Sequence, residues 1–232
     1  MMKKNGFTLA EVLITLAIIG VVATLTLPAL MTNTAEQQAK TGLKKGINTL
    51  TEAAQMNASI RGFDYSSVTS TKYGPGNEEE QSLYGLLANR TAIDFAKSGS
   101  STGNHVSGQG EAPTTQTGNY TVFFRDGSSF SYDPGNSVMS NASANAIESD
   151  GLPHGLVGIY DTNGSKGPNI LSYCAAAGTP NVLGNASDTL GSADLKTRCA
   201  KDKRVIKDQF GVRLRGFYAV PNGAAAHWVM SD

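Results

Sequence analysis

Few of the chain's 232 residues stand in combinations that do chemistry. Glu11 lies at the start of an uncharged run from Val12 to Ala35. A lone ionised carboxylate in hydrocarbon costs about 3 kcal/mol or more, so Glu11 must take up a proton or acquire a cation unless it sits at headgroup depth. Asp161, Asn163 and Asp208 offer hard oxygen atoms of the kind calcium takes. The glycine an EF-hand loop needs is not in place, and Asn163-Gly164 by itself accounts for a tight turn. Cys174 and Cys199 are too far apart for a C-x-x-C redox or zinc motif, which leaves one disulfide or two thiols. His105, His154 and His227 are scattered, and G-x-S-x-G, P-loop, H-E-x-x-H and G-x-G-x-x-G patterns are missing. These residues do not describe an enzyme.

The elements that carry these groups follow from periodicity. The 24 residues from Val12 to Ala35 make a helix of about 36 Å, enough to cross a hydrocarbon core of about 30 Å. Lys3 and Lys4 precede the span, so the N-terminus belongs in the cytoplasm and everything after Leu30 beyond the membrane. A secretory signal peptide has the same general shape, but this run is long for one and no A-x-A site follows it. Pro28 lacks a donor and crowds the carbonyl of Thr24, which predicts a helix kink. Leu43, Ile47, Leu50 and Ala54 then form one apolar stripe, with Glu36, Lys40, Lys44, Lys45 and Glu52 on the other faces, and carry the helix to about Ile60.

Glu78-Glu79-Glu80 predicts the start of a second helix bearing Leu83, Leu86, Leu87 and Ile93. Ser98 to Gly118 reads as a loop. Tyr120–Phe124 and Ser129–Tyr132, joined by Arg125-Asp126-Gly127, read as a hairpin, with Asp-Gly supplying the positive backbone angles. Leu156–Tyr160 and Val212–Val220 are further strand candidates. The result is an α+β fold, a long helix followed by an antiparallel meander. With 16% charged residues and 26 glycines the composition suits an extracellular surface. Nineteen basic against nineteen acidic side chains remove any global electrostatic case for nucleic acid.

Gly6-Phe7-Thr8-Leu9-Ala10-Glu11, after a short basic leader and before an apolar helix, resembles the prepilin N-terminal cleavage and methylation motif of type IV pilins and type II secretion pseudopilins. The resemblance implies cleavage after Gly6 by a prepilin peptidase and N-methylation of Phe7. It gives Glu11 the role of assembly glutamate, facing the freed amine of Phe7 in a neighbouring subunit, and makes Pro28 the helix-disturbing proline. The implied organisation is a leader over 1–6, a transmembrane and filament-core helix over 7–30, its amphipathic continuation over 31–60 and an extracytoplasmic head over 61–232. The implied fold is pilin-like, the helix packed on an antiparallel sheet. Asp161-Thr-Asn-Gly-Ser-Lys-Gly-Pro-Asn169 resembles a signature of pilin-like heads, whose following Asp and Phe would be Asp208 and Phe210 beyond an insertion. Calcium at Asp161, Asn163 and Asp208 follows by likeness to the major type II pseudopilin; no other cofactor is implied.

The expected function is a structural subunit assembled into a type IV pilus or a type II secretion pseudopilus. Its partners are pilin subunits, the prepilin peptidase, an inner-membrane assembly platform and lipid. The alternatives are a membrane-anchored binding module or adhesin that never assembles, and a DNA-uptake pseudopilin with a basic patch on its head. The expected location is the bacterial inner membrane, single-pass, and then an extracytoplasmic filament. Outside the cytoplasm thiols are oxidised, and a pair is the minimum for a bridge, so a Cys174–Cys199 disulfide is expected.

Overall fold

The computed structural model of the chain describes residues 6–68, 74–98, 120–132, 155–164, 166, 169–174, 204–222 and 224–231. Helix α1 runs from Leu9 to Arg61. The chain divides into two compact units, Met1–Gln38 and Ala39–Asp232, and α1 contributes to both.

In the first unit the threonines of α1 turn inward on their own helix. The hydroxyls of Thr15, Thr24, Thr26 and Thr34 donate to the carbonyls of Val12, Val21, Val22 and Leu30 at 2.8–3.0 Å. Threonine is an indifferent helix former in water, but such back-bonding hides its polar group where no water competes. The helix is a single element through Pro28, which supplies no donor to Thr24.

The second unit is α+β, as the periodicities predict. Ala39, Leu43, Ile47, Leu50 and Ala54 are buried. They share one core with the inner face of a six-stranded antiparallel sheet, ordered β1-β2-β3-β4-β7-β8. The strands are β1 (Ile93–Ser98), β2 (Tyr120–Phe124), β3 (Ser129–Tyr132), β4 (Leu156–Asp161), β7 (Gln209–Arg215) and β8 (Tyr218–Asn222). Alternation along each strand fixes which side chains face the helix, and register lines them up across strands. Val122, Phe130, Tyr160 and Phe210 form one such row, each paired with the next and all buried. A short ribbon of β5 (Tyr173–Cys174) and β6 (Arg204–Val205) stands apart from the main sheet. Helix α3 (Ala224–Ser231) packs against β7 and β8 and buries Trp228 and Val229.

Several elements differ from the sequence reading for local reasons. The second helix, α2, covers only Leu83–Ala88. Ser82 caps it, its Oγ accepting the Gly85 N–H at 2.9 Å, so the Glu78–Glu80 run lies in the preceding turns. Asn89 ends the helix, and Ile93 opens edge strand β1. Val212–Val220 is not one strand: Gly216, at φ 50°, turns the chain between β7 and β8. Pro221 sits in β8, the other edge strand, where its missing donor breaks no inner ladder. In the β2–β3 turn only Gly127 has a positive φ, 90°. Its N–H donates to the Phe124 carbonyl, and the Phe124 N–H donates to the Ser128 carbonyl, closing the three-residue loop Arg125-Asp126-Gly127 with one positive angle where Asp-Gly was expected to supply more. Apart from Ser98, the loop read over Ser98 to Gly118 lies outside the described residues. Gly62, at φ 78°, ends α1 by donating to Ala58, one residue beyond the sequence estimate.

The helix comes close to the sheet at Gly46. A Cβ there would stand 2.2 Å from Cζ of Tyr160. The ring has little freedom to retreat, because its hydroxyl donates to Ser128 Oγ at 2.8 Å and Ser128 Oγ donates to Asp126 at 2.6 Å. Burial pushes the Tyr160 phenol up to about 12. Lys45 pairs with Asp126 at 2.7 Å beside this contact. Burial alone would raise the Asp126 carboxyl, but donors from Lys45 and Ser128 outweigh it and hold the group below its ordinary value. In an open helix Gly46→Ala would gain about 1 kcal/mol. Here it is expected to lose about 2 kcal/mol net through overpacking, measured by chemical denaturation. A gain in stability would show that Tyr160 does not sit on Gly46.

Candidate functional site

Gly6 and Phe7 precede the first turn of α1 outside the helix, and Phe7 is 90% exposed. Thr8 and Glu11 then close a reciprocal cap. Glu11 Oε2 accepts both the backbone N–H and the hydroxyl of Thr8 at 2.8 Å, and the Glu11 N–H reaches Thr8 Oγ1 at 3.3 Å. Two amide donors at the helix start are satisfied in this way. Sequence reading took Glu11 as a charge alone and missed Thr8. The signal was present, since Thr8-Leu-Ala-Glu11 has the T-x-x-E spacing of a capping box.

After this cap, Leu9–Leu27 forms 19 helical residues of mean hydropathy 2.3, none of them buried. Leu13, Leu16, Ile19, Val22 and Leu25 are all exposed, so the helix is apolar all round. It is long and apolar enough to cross a membrane. Uncovered apolar surface of this extent demands either lipid or other apolar helices around it. Glu11 is the acidic group in its first turn.

The second cluster lies in the head. Strand β4 ends at Asp161 and β7 begins at Gln209, and these two residues are register partners. This pairing is how Asp208 returns to Asp161 and Asn163 across more than forty residues of sequence. Asp208 Oδ2 accepts Asn163 Nδ2 at 3.1 Å and the Asn169 N–H at 2.7 Å, while Oδ1 accepts the Ile170 N–H at 2.8 Å. Asp161 Oδ1 accepts the Asn163 N–H at 2.9 Å, and Oδ2 accepts Gln209 Nε2 at 2.6 Å. Gly164 also donates its N–H to Asp161. Thr162 closes the loop on the Asp208 carbonyl with its N–H and its hydroxyl, at 2.9 and 3.0 Å.

The carboxylates of Asp161 and Asp208, two of the three calcium candidates, each accept N–H donors. Among the described residues no group of three or more His, Cys, Asp or Glu side chains comes together. The arrangement is a hydrogen-bonded clasp that holds the loop after β4 onto the start of β7. Phe210, the other residue expected beside Asp208, lies fully buried in the core row. Cys174 pairs in register with Arg204 in the β5–β6 ribbon, while Cys199 lies outside the described residues.

Burial raises the Asp161 carboxyl to about 6, against the lowering effect of its Gln209 and Asn163 donors and with a further upward push from Asp208. The folded state then holds a proton that the unfolded chain releases, so between about pH 4 and 6 stability falls as pH rises. Relative to Asp161→Asn, the parent is expected to lose about 2 to 3 kcal/mol on going from pH 4 to 7. Denaturant titrations of both proteins across that range measure the difference. A flat difference would mean the carboxyl is solvated in the fold.

Residues 1–27 match the prokaryotic N-terminal methylation motif, the prepilin-type motif of type IV pilins and pseudopilins. No curated protein and no solved structure matches the chain. The motif is that of a type IV pilin-like precursor, and the α+β arrangement, an apolar N-terminal helix followed by an antiparallel sheet, is consistent with a pilin-like fold.

Proposed function

We propose that this chain is a prepilin-like structural subunit, cleaved after Gly6, N-methylated at Phe7 and assembled into a type IV pilus or a type II secretion pseudopilus. One observation carries the reading: the methylation motif leads directly into a helix whose apolar side chains are exposed all round and whose first turn carries a carboxylate. Such a helix has two stable environments, the bilayer before assembly and a bundle of like helices after it. In the precursor the cap from Thr8 satisfies Glu11. Cleavage creates a cation at Phe7, and in a filament the amine of one subunit neutralises Glu11 of the next, which sets the stagger between them. Lipid, further pilin subunits, the peptidase and an inner-membrane assembly platform are its partners, and the N-terminus starts in the cytoplasm.

Intact-mass analysis of the protein from its own membranes tests the processing step. The expected result is loss of Met1 to Gly6 and one added methyl group on Phe7. Removal of Lys3 and Lys4 leaves 19 − 2 = 17 basic against 19 acidic side chains. Gly6→Leu is expected to retain the leader. An intact leader on the parent protein in cells with an active prepilin peptidase would refute the reading and leave a plain membrane anchor.

A further inference from the structure

The loop after β4 carries a covalent liability that its own fold requires. Gly164 has φ 66°, and a Cβ there would stand 2.5 Å from the carbonyl oxygen of Gly127 in the β2–β3 turn. Only glycine fits. Asn163 must in turn supply the side-chain N–H that reaches Asp208 Oδ2. The two demands together place an Asn-Gly pair in the loop, the dipeptide least hindered towards succinimide formation. On its other side the loop packs on α1, where a Cβ at Gly42 would meet Cβ of Thr162 at 2.7 Å. The same few residues therefore touch the helix, the β2–β3 turn and the start of β7.

We propose that Asn163 is a site of spontaneous deamidation that its hydrogen bond to Asp208 holds in check. Gly164 N loses its proton to hydroxide and attacks Asn163 Cγ. The new C–N bond closes the succinimide, the Cγ–Nδ2 bond breaks and ammonia leaves; water then opens the ring to isoaspartate or aspartate. Ring closure requires the Asn163 side chain to swing its Cγ onto the Gly164 nitrogen. A side chain tethered through Nδ2 to Asp208, beside a Gly164 N–H tethered to Asp161, adopts that conformer only when the loop opens. After reaction an acceptor replaces the donor that faced Asp208 Oδ2, and two carboxylates meet where one hydrogen bond stood. The product therefore unlatches the loop from β7.

The test follows deamidation at Asn163 by peptide mapping of the full-length protein in detergent, in mildly alkaline buffer, folded and unfolded in urea. The folded chain is expected to react at least about tenfold more slowly, as an opening free energy above about 1.4 kcal/mol requires. Asp208→Ala, shown to be folded by circular dichroism, is expected to recover most of the unfolded rate; if it does not fold, Asp208→Asn is read in its place. Asn163→Asp, which builds the aspartate product, is expected to melt about 5 °C below the parent and below Asn163→Ser. Equal rates in the folded and unfolded parent, or a folded Asp208 variant as slow as the parent, would overturn the proposal.

Discussion

Glu11→Val is expected to stay in the membrane, fold its head normally and enter filaments at least about tenfold less often than the parent, a difference in coupling of about 1.4 kcal/mol or more per subunit. Two losses contribute. Valine cannot accept the Thr8 N–H, so only the Thr8 Oγ1 half of the reciprocal cap survives. It also cannot meet the amine that cleavage creates at Phe7 of the next subunit, where the surroundings are apolar and an unpaired ammonium is as costly as an unpaired carboxylate. Glu11→Gln separates the two. Glutamine keeps the capping geometry, because T-x-x-Q serves as well as T-x-x-E, but it carries no charge. If Glu11→Gln assembles like the parent, capping suffices and the charge pair is wrong. If both variants fail alike, the charge carries assembly. Shear fractions and membranes, blotted for the protein, give the partition directly, and head folding is checked by protease resistance.

The sequence revealed most where a single strong pattern decided the outcome. The uncharged run after Glu11 and the four-three-four stripe from Leu43 to Ala54 sufficed for α1, and alternation at Tyr120, Val122 and Phe124 sufficed for β2. The misses share a cause, since tertiary contacts chose among several local options. Ile93 extends a helical spacing, yet Asn89 ends α2 and Ile93 pairs with Phe124 in β1. Ser82 outcompetes three glutamates as helix start because its short side chain reaches the Gly85 N–H: charge near a helix end is worth less than a bonded cap. The two-residue strands β5 and β6 have no periodicity to detect. In the head loop the residue types were visible, and their meeting was expected only through the resemblance. Asp161 and Asp208 share a clasp because β4 and β7 are neighbours, a long-range fact no local pattern encodes.

Reduction of a Cys174–Cys199 bridge is expected to lower the melting temperature of the head by about 10 °C. The two residues enclose a loop of 26 residues, counted from Cys174 to Cys199. On the chain-entropy model, closing a loop of that size removes about 3.5 kcal/mol of freedom from the unfolded state. At about 2 to 4 °C per kcal/mol for a unit of this size, that gives the expected shift. The ribbon brings the two ends of the segment within reach of one another. Cys174 is the register partner of Arg204, and Cys199 lies five residues before Arg204, no more than about 18 Å of extended chain away. A disulfide needs Cα atoms about 5.5 to 6 Å apart, a separation that a connection of this length permits. The segment 175–198 contains Gly178, Pro180, Gly184 and Gly191 and few large apolar residues. The bridge also reports on topology, because it forms only where thiols are oxidised, on the far side of the membrane from Lys3 and Lys4. Non-reducing peptide mapping of the exported protein is expected to return one cross-linked peptide pair, and the double variant Cys174→Ser with Cys199→Ser is expected to melt at the temperature of the reduced parent. Two alkylatable thiols on unreduced protein would refute the bridge and count against the proposed orientation as well.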